Sequence, residues 1–171
     1  LGANGAGKAT LPRLAIALRH PDAGRVVTVG LDTEGRRPED LADVAGYLFQ
    51  HPEAQLFART VRAEVGFGPE RLGWRPERVG AAVDHVLGEL ALEPYAGRHP
   101  YDLSGPTRRL VAFAAALVAN PQLLILDEPT AGLDPKQIIE TRDLIRSLAG
   151  DHTIILSTHI LPEVAQTCQR V

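Results

Sequence analysis

Leu123-Leu124-Ile125-Leu126-Asp127-Glu128 is four apolar residues without a break, followed at once by two carboxylates. A strand with one wet face alternates apolar and polar residues. An unbroken apolar run marks a strand buried on both faces, as in a parallel sheet covered by helices. The flanking sequence keeps to that plan. Thr153–Ser157 reads as another buried strand, and Val44–Phe49 and Arg25–Val29 as strands rich in β-branched or aromatic residues. Helices are predicted over Gly7–Arg19, Ile138–Leu148 and Leu161–Cys168, with Pro135 near the first turn of the second and Gly150 after its end. Pro21, Asp22 and Gly24 make a turn after the first helix. Strands alternating with helices imply an α/β fold, a mostly parallel sheet with right-handed crossovers. Between Thr60 and Ala119 the character changes. Ala81, Val83, Val86, Leu87, Leu90 and Leu92 recur near helical spacing, as do Leu110, Phe113, Leu117 and Val118. The expected organisation is one domain over 1–171, with an α/β core formed by 1–59 and 120–171 and a mostly helical subdomain at 60–119.

Composition excludes several classes. With 44% hydrophobic and 23% charged residues the chain is globular rather than disordered. A net charge of -3 calls for no nucleic-acid partner. Cys168 is the sole cysteine, which rules out an internal disulfide and any site built from several thiolates, and fits a reducing compartment. No apolar run approaches the ~20 residues of a membrane span. The sequence has no Met and starts at Leu1, which reads as the last residue of a strand. The chain is therefore expected to be a fragment that lacks its N-terminal strands, unstable or self-associating on its own.

Two further features carry chemistry. Gly2-Ala3-Asn4-Gly5-Ala6-Gly7-Lys8 fits the P-loop pattern G-x-x-x-x-G-K. Its glycines let successive backbone N–H groups turn inward onto phosphate oxygens, and Lys8 would reach the β- and γ-phosphates. The pattern then asks for Ser or Thr, whose hydroxyl is a ligand of Mg²⁺. This chain has Ala9, and the hydroxyl of Thr10 comes one residue later, turned by roughly 100° along a helix. The opening stretch, Leu123–Glu128, reads as a Walker B strand. Asp127 would hold Mg²⁺, and Glu128 would orient or deprotonate the attacking water.

With Pro129-Thr130-Ala131-Gly132-Leu133-Asp134-Pro135 added, this region resembles the Walker B and D-loop segment of ABC ATPases, with Asp134 as the D-loop aspartate. Other matches follow in the family order over essentially the whole chain. Gln50, after Phe49, is similar to the Q-loop glutamine, which in the family touches Mg²⁺ and couples to the membrane partner. Leu103-Ser104-Gly105 resembles the start of the LSGGQ signature, which grips the γ-phosphate of ATP held by the opposite subunit. His159 resembles the switch histidine that contacts the γ-phosphate. The resemblance thus implies ATP contacts from Gly2, Asn4, Gly5, Ala6, Gly7, Lys8, Ala9, Thr10 and Gln50. It implies metal contacts from Asp127 and Gln50, catalytic roles for Glu128 and His159, and signature contacts to the partner's ATP from Ser104 and Gly105. Phe49–Val61 resembles the ATPases of energy-coupling-factor importers, whereas Gly132–Val171 resembles those of export and gliding-motility systems. That contrast raises the expectation that two ABC lineages are joined in this chain.

Departures from the family pattern are as informative. Pro106 and Thr107 stand where the signature has Gly and Gln. Proline in a first helical turn is harmless to folding, but it removes an N–H that would face a phosphate, a loss of about 1.5–3 kcal/mol. Pro12 falls inside the first predicted helix, cannot donate to the carbonyl of Lys8, and would cost roughly 3 kcal/mol in a helix interior. The family would supply Mg²⁺ with ATP, a second ABC ATPase subunit, and a transmembrane permease or coupling protein. That places the chain in the cytoplasm, peripheral to the cell membrane. The expected role is an ATP-hydrolysing transporter subunit. The alternatives are a degenerate nucleotide-binding subunit or non-functional fragment, and a soluble ABC protein of DNA repair or translation. The importer-like Q-loop and the lack of a long coiled-coil insert argue against the last.

Overall fold

The computed structural model describes residues 10–158 together with 164, 167 and 168. Gly2–Ala9, His159 and most of the helix expected over Leu161–Cys168 lie outside the described residues.

The strand β4 (Leu123–Asp127) is flanked on both sides, by β3 (Ala45–Leu48) and β5 (Thr153–Ser157). All pairings are parallel, in the order β3-β4-β5. All five residues of β4 are buried, as its unbroken apolar run requires. Side chains alternate across a strand. Leu123, Ile125 and Asp127 therefore share one face of β4, and Leu124 and Leu126 the other. On the first face Leu123 and Ile125 pack with Ala45 and Ile16, bordered by Ala15, Val44, Tyr47 and Ile155. Ala15 and Ile16 come from α1 (Thr10–Ala15) and the residue after it. The helix α5 (Pro135–Leu148) makes the crossover from β4 to β5. Its first turn is capped by Asp134, whose carboxylate accepts from the Gln137 N–H at 2.9 Å, and Pro135 occupies the position where a missing N–H costs nothing.

Two expectations are corrected. The first helix ends at Ala15 rather than Arg19. Ala17 takes a left-handed φ of 55° and its N–H turns back to the Leu14 carbonyl at 3.1 Å, which ends the helix and buries Ile16 and Ala17. Pro12 lies buried within Thr10–Ala15. The strand expected over Arg25–Val29 is only β1 (Val27–Thr28), and it does not join the parallel sheet. It pairs antiparallel with β2 (Leu31–Asp32) across a two-residue turn in which Val29 and Gly30 have φ of 50° and 78°. Two consecutive left-handed residues are the hairpin's own geometry, and they turn the chain before the strand can lengthen. Thr28 Oγ1 donates to the Ala15 carbonyl at 2.7 Å, tying the hairpin to the end of α1.

Residues His51–Pro121 form a separate compact unit, distinct from the one formed by the chain up to Gln50 and from Gln122 onward. It is built from α2 (Val61–Arg71), α3 (Pro76–Glu89) and α4 (Gly105–Leu117) with short 3-10 turns. Thr60 caps α2 by accepting from the Ala63 N–H, and Ser104 caps α4 by accepting from the Thr107 N–H. Its core is Val61 and Val65 of α2, Val83 and Leu87 of α3, Leu92, and Val111 and Phe113 of α4. Gly66 faces α3, where a Cβ would stand at ordinary contact distance, 3.4 Å from Val79 Cγ1 and 3.5 Å from Val83 Cγ2.

The β4 side chains set the stability of the sheet unit. Ile125→Ala removes a fully buried side chain and should destabilise the protein by about 2–5 kcal/mol, read as a lower urea midpoint with an unchanged slope. A loss of less than about 0.5 kcal/mol, the range of ordinary surface changes, would show that this face of the sheet is not the core.

Candidate functional site

In a parallel sheet the C-terminal ends of neighbouring strands lie on one edge, where ligands of open α/β sheets bind. Leu48 pairs with Leu126, and Asp127 with Ser157. That register brings Gln50, Asp127, Glu128 and Thr158 to the same edge, each at or just past the end of its strand. Gln50 is exposed, Glu128 is half-buried, and Asp127 and Thr158 are buried. Thr10, half-buried, belongs to α1.

Asp127 is held from the neighbouring strand. Tyr47 pairs with Ile125 and so shares its face, and Asp127 lies two residues farther along that face. The phenol reaches forward and its O–H donates to Asp127 Oδ2 at 3.3 Å. Burial, followed by the negative charge of Asp127 and this hydrogen bond, pushes the Tyr47 hydroxyl up to about 12, while the Arg13 guanidinium pulls it the other way. Tyr47 is a neutral donor at any physiological pH. Its ring rests against Phe49, with centroids 4.3 Å apart.

Glu128 has a left-handed φ of 50°. For a residue with a Cβ this conformation costs on the order of 1–3 kcal/mol and is found where the surroundings enforce it, commonly at functional sites. Here the Glu128 N–H donates to the Ser157 carbonyl at 2.8 Å, and the Glu128 carbonyl accepts from the Ala131 N–H at 3.0 Å. The first bond extends the β4–β5 ladder by one residue. The second starts the turn that runs through Gly132, with φ of 73°, to Asp134. Asp134 is exposed and caps α5.

The donor set suits Mg²⁺ arriving with a nucleotide. Magnesium takes hard oxygen ligands, and beside substrate phosphates and water it needs only one or two protein groups. The Asp127 carboxylate and the Gln50 amide oxygen are of that kind. Among the described residues no group of three His, Cys, Asp or Glu side chains is placed to hold a metal by itself.

The helical unit contains the segment that resembles the signature. Ser104 and Gly105 are exposed at the start of α4. Ser104 Oγ accepts from the Thr107 N–H at 3.3 Å and is also hydrogen-bonded to Thr107 Oγ1 at 2.8 Å. Pro106 sits in the first turn, as sequence suggests. Nothing lies within 4 Å of a Cβ placed at Gly105, so crowding within the unit does not explain that glycine.

Three functional-looking side chains escape a sequence reading. Tyr47 resembles any half-buried strand aromatic, and only the strand register brings it to Asp127. Arg109, buried on α4, lies 3.9 Å from Glu53, and burial holds its guanidinium below its ordinary value while Glu53 acts in the opposite sense. Glu64, buried on α2, accepts from the N–H groups of Phe57 and Ala58 at 2.8 and 2.6 Å, which fixes the segment following Gln50. A lone Glu in a helix's first turn gives no sign that its carboxylate folds back onto a loop.

Comparison with known proteins agrees with this geometry. The family description "ABC transporter" matches residues 1–131, and the chain belongs to that family, as an ATP-binding domain of the kind that hydrolyses ATP. It is 41% identical to the nickel import ATP-binding protein NikO of Rhodobacter capsulatus, over all of this chain and 71% of that protein. It is 42% identical to a putative ABC transporter ATP-binding protein of Methanosarcina acetivorans, over all of this chain and 28% of that one. The solved structure of cbiO1 from Clostridium perfringens, part of the ABC transporter complex cbiONQ, superposes with a TM-score of 0.87 at 33% identity, covering 98% of this chain and 68% of that one. The chain thus spans between about a quarter and seven tenths of the length of these proteins.

Glu64→Ala should release residues 56–59, destabilise the helical unit by about 1.5–3 kcal/mol through loss of two charge-assisted bonds, and open a proteolytic site after Phe57. Glu64→Gln, which keeps one acceptor, should lose less. Equal resistance of the alanine variant and wild type to protease would show that the carboxylate does not hold the segment.

Proposed function

We propose that this chain is the nucleotide-handling part of an ATP-hydrolysing subunit that drives an uptake transporter through a partner permease, peripheral to the cytoplasmic face of the membrane. The observation that carries the reading is the sheet edge, where Asp127 and a left-handed Glu128 emerge from the most buried strand beside Gln50. The family supplies ATP hydrolysis, the nickel import relative favours uptake, and the place of cbiO1 in an ABC transporter complex favours a partner permease. Among the described residues no helix is long and apolar enough to cross a membrane, so transport in this reading depends on the permease.

In this reading Gly2, Asn4, Gly5, Ala6, Gly7 and Lys8 cradle the phosphates, with Ala9 and Thr10 closing the loop. Asp127 and Gln50 would hold Mg²⁺, which would supply positive charge to offset the negative charge that develops on the phosphates. Glu128 accepts a proton from the attacking water or orients it. His159 senses the γ-phosphate, and Asp134 contributes from the D-loop. Ser104 and Gly105 face the nucleotide of a second ABC subunit. Residues 1–59 and 120–171 serve as the nucleotide core and 60–119 as the signature subdomain. The exposed Phe57 and Phe67, ring centroids 4.8 Å apart, are the apolar surface this reading gives to the permease.

A second reading has a specific observation in its favour. The Ser104 hydroxyl is engaged by Thr107, and Pro106 has no N–H to offer. Together with Ala9 this describes a subunit that binds nucleotide and turns it over poorly, paired with an active homologue.

ATP turnover and binding by the full-length protein separate the two. If the first reading holds, wild type hydrolyses ATP, and Glu128→Gln lowers turnover by about 10²–10⁴-fold with ATP binding retained. If the second holds, wild type binds ATP without turnover above background, and Ala9→Ser combined with Pro106→Gly restores it. A restored protein whose turnover is indifferent to Glu128→Gln would overturn the catalytic assignment.

A further inference from the structure

We infer that Tyr47 is a positioning residue for the magnesium-binding carboxylate, a role that rests on the assignment of Asp127 above. Metal-ligating carboxylates are themselves held by hydrogen bonds from a surrounding layer of residues, and those outer partners tune affinity. Asp127 has such a partner in the Tyr47 hydroxyl, which donates to Oδ2 at 3.3 Å from the adjacent strand.

The arrangement follows from the fold. Residues one strand apart and two positions along share a face and come within reach of a long aromatic side chain. Tyr47 stands opposite Ile125, so its ring runs along that face and its hydroxyl meets the side chain of Asp127. Backing by Phe49 limits how far the ring can swing. The bond to Oδ2 leaves Oδ1 as the more available of the two oxygens for a cation. The bond is long for an O–H donor on a carboxylate, so the carboxylate is directed without being clamped and can adjust as a hydrated cation arrives.

The sequence explains why this matters more here than elsewhere. P-loop enzymes hold their metal with the Ser or Thr after the lysine as well as the Walker B aspartate. Ala9 removes the first of these. A larger share of the metal's protein contact then falls on Asp127, and a misdirected carboxylate would be felt directly in metal affinity.

Tyr47→Phe removes one oxygen and leaves the ring packing in place. In the full-length protein, binding of a fluorescent ATP analogue is followed while Mg²⁺ is titrated, and again in EDTA. The variant should need about 10-fold more Mg²⁺ for half-maximal enhancement, with its affinity in EDTA unchanged. In an Asp127→Asn background the same change should produce no further shift. An unchanged Mg²⁺ requirement overturns the proposal, as does an equal loss of affinity with and without Mg²⁺, which would make Tyr47 a packing residue. Additive effects in the double variant overturn it too. If wild type itself shows no Mg²⁺ enhancement, the metal role of Asp127 fails and the proposal fails with it. That outcome is distinct from a wild type that responds and a variant that responds alike.

Discussion

Burial of β4 on both faces is the constraint from which the site follows. Leu124, Ile125 and Leu126 are completely buried, and the strand has a hydrogen-bonded neighbour on each side. A strand so enclosed cannot slide: a one-residue slip would carry Asp127 to the opposite face and exchange every apolar contact. The position of a carboxylate at its end is therefore fixed by hydrophobic packing several residues away, and the polar group itself need contribute nothing to its own placement. That separation suits chemistry, because the charged residue can be chosen for what it does to a ligand while aliphatic neighbours hold the backbone. Glu128 shows the same division. Its left-handed backbone is unfavourable for a residue with a Cβ, and the bond from its N–H to Ser157 ties it to a strand that the core already holds.

What was legible in the sequence is what local patterning controls. An unbroken apolar run can only be a doubly covered strand or a buried helix, and the carboxylates that end Leu123–Leu126 resolve the choice. Thr153–Ser157, Val44–Phe49 and the helix ending at Leu148 carry similarly strong periodic signals, and strands and helix stand within a few residues of those positions. Legibility failed where one backbone torsion decided the outcome. Nothing in the composition of Arg25–Val29 says that Val29 and Gly30 both turn left-handed, and a β-branched residue is the last expected there. Ala17 ends the first helix in the same way without the glycine that commonly announces such an ending. At the site, sequence order was enough to nominate Gln50, Asp127, Glu128 and Ser104. It could not nominate Tyr47, Glu64 or Arg109, whose significance lies in contacts set by strand register or by packing between helices.

The signature segment shows how folding and function can place different demands on the same residues. For folding, Ser104-Gly105-Pro106-Thr107 is a good helix start: a capping serine, a proline where the N–H is unused, and a threonine whose hydroxyl meets the cap. Each of those virtues uses up or removes a group that could otherwise face a phosphate. The Ser104 oxygen accepts from Thr107 N–H, its hydroxyl is shared with Thr107 Oγ1, and the residue between has no N–H at all. A helix N-terminus binds anions because its donors are unsatisfied, and here they are partly satisfied from within.

The departures at Ala9 and at Pro106 and Thr107 fall, on the proposed assignment, on different parts of a nucleotide site. On the proposed assignment Ala9 would weaken the hold on the metal, whereas Pro106 and Thr107 would weaken the hold on the partner's γ-phosphate. A subunit impaired only at its metal would still complete its partner's site, and one impaired only at its signature would still hydrolyse ATP at its own P-loop when paired with an intact partner. On that assignment both changes in one chain would make a symmetric pair of such subunits poor at each of its two sites. A mixed pair concentrates the effects differently. One site combines the altered P-loop with an intact signature, and the other an intact P-loop with the altered signature. The hydrogen bond from Tyr47 to Asp127 would bear on the first of these only, because it directs the carboxylate proposed to hold the metal.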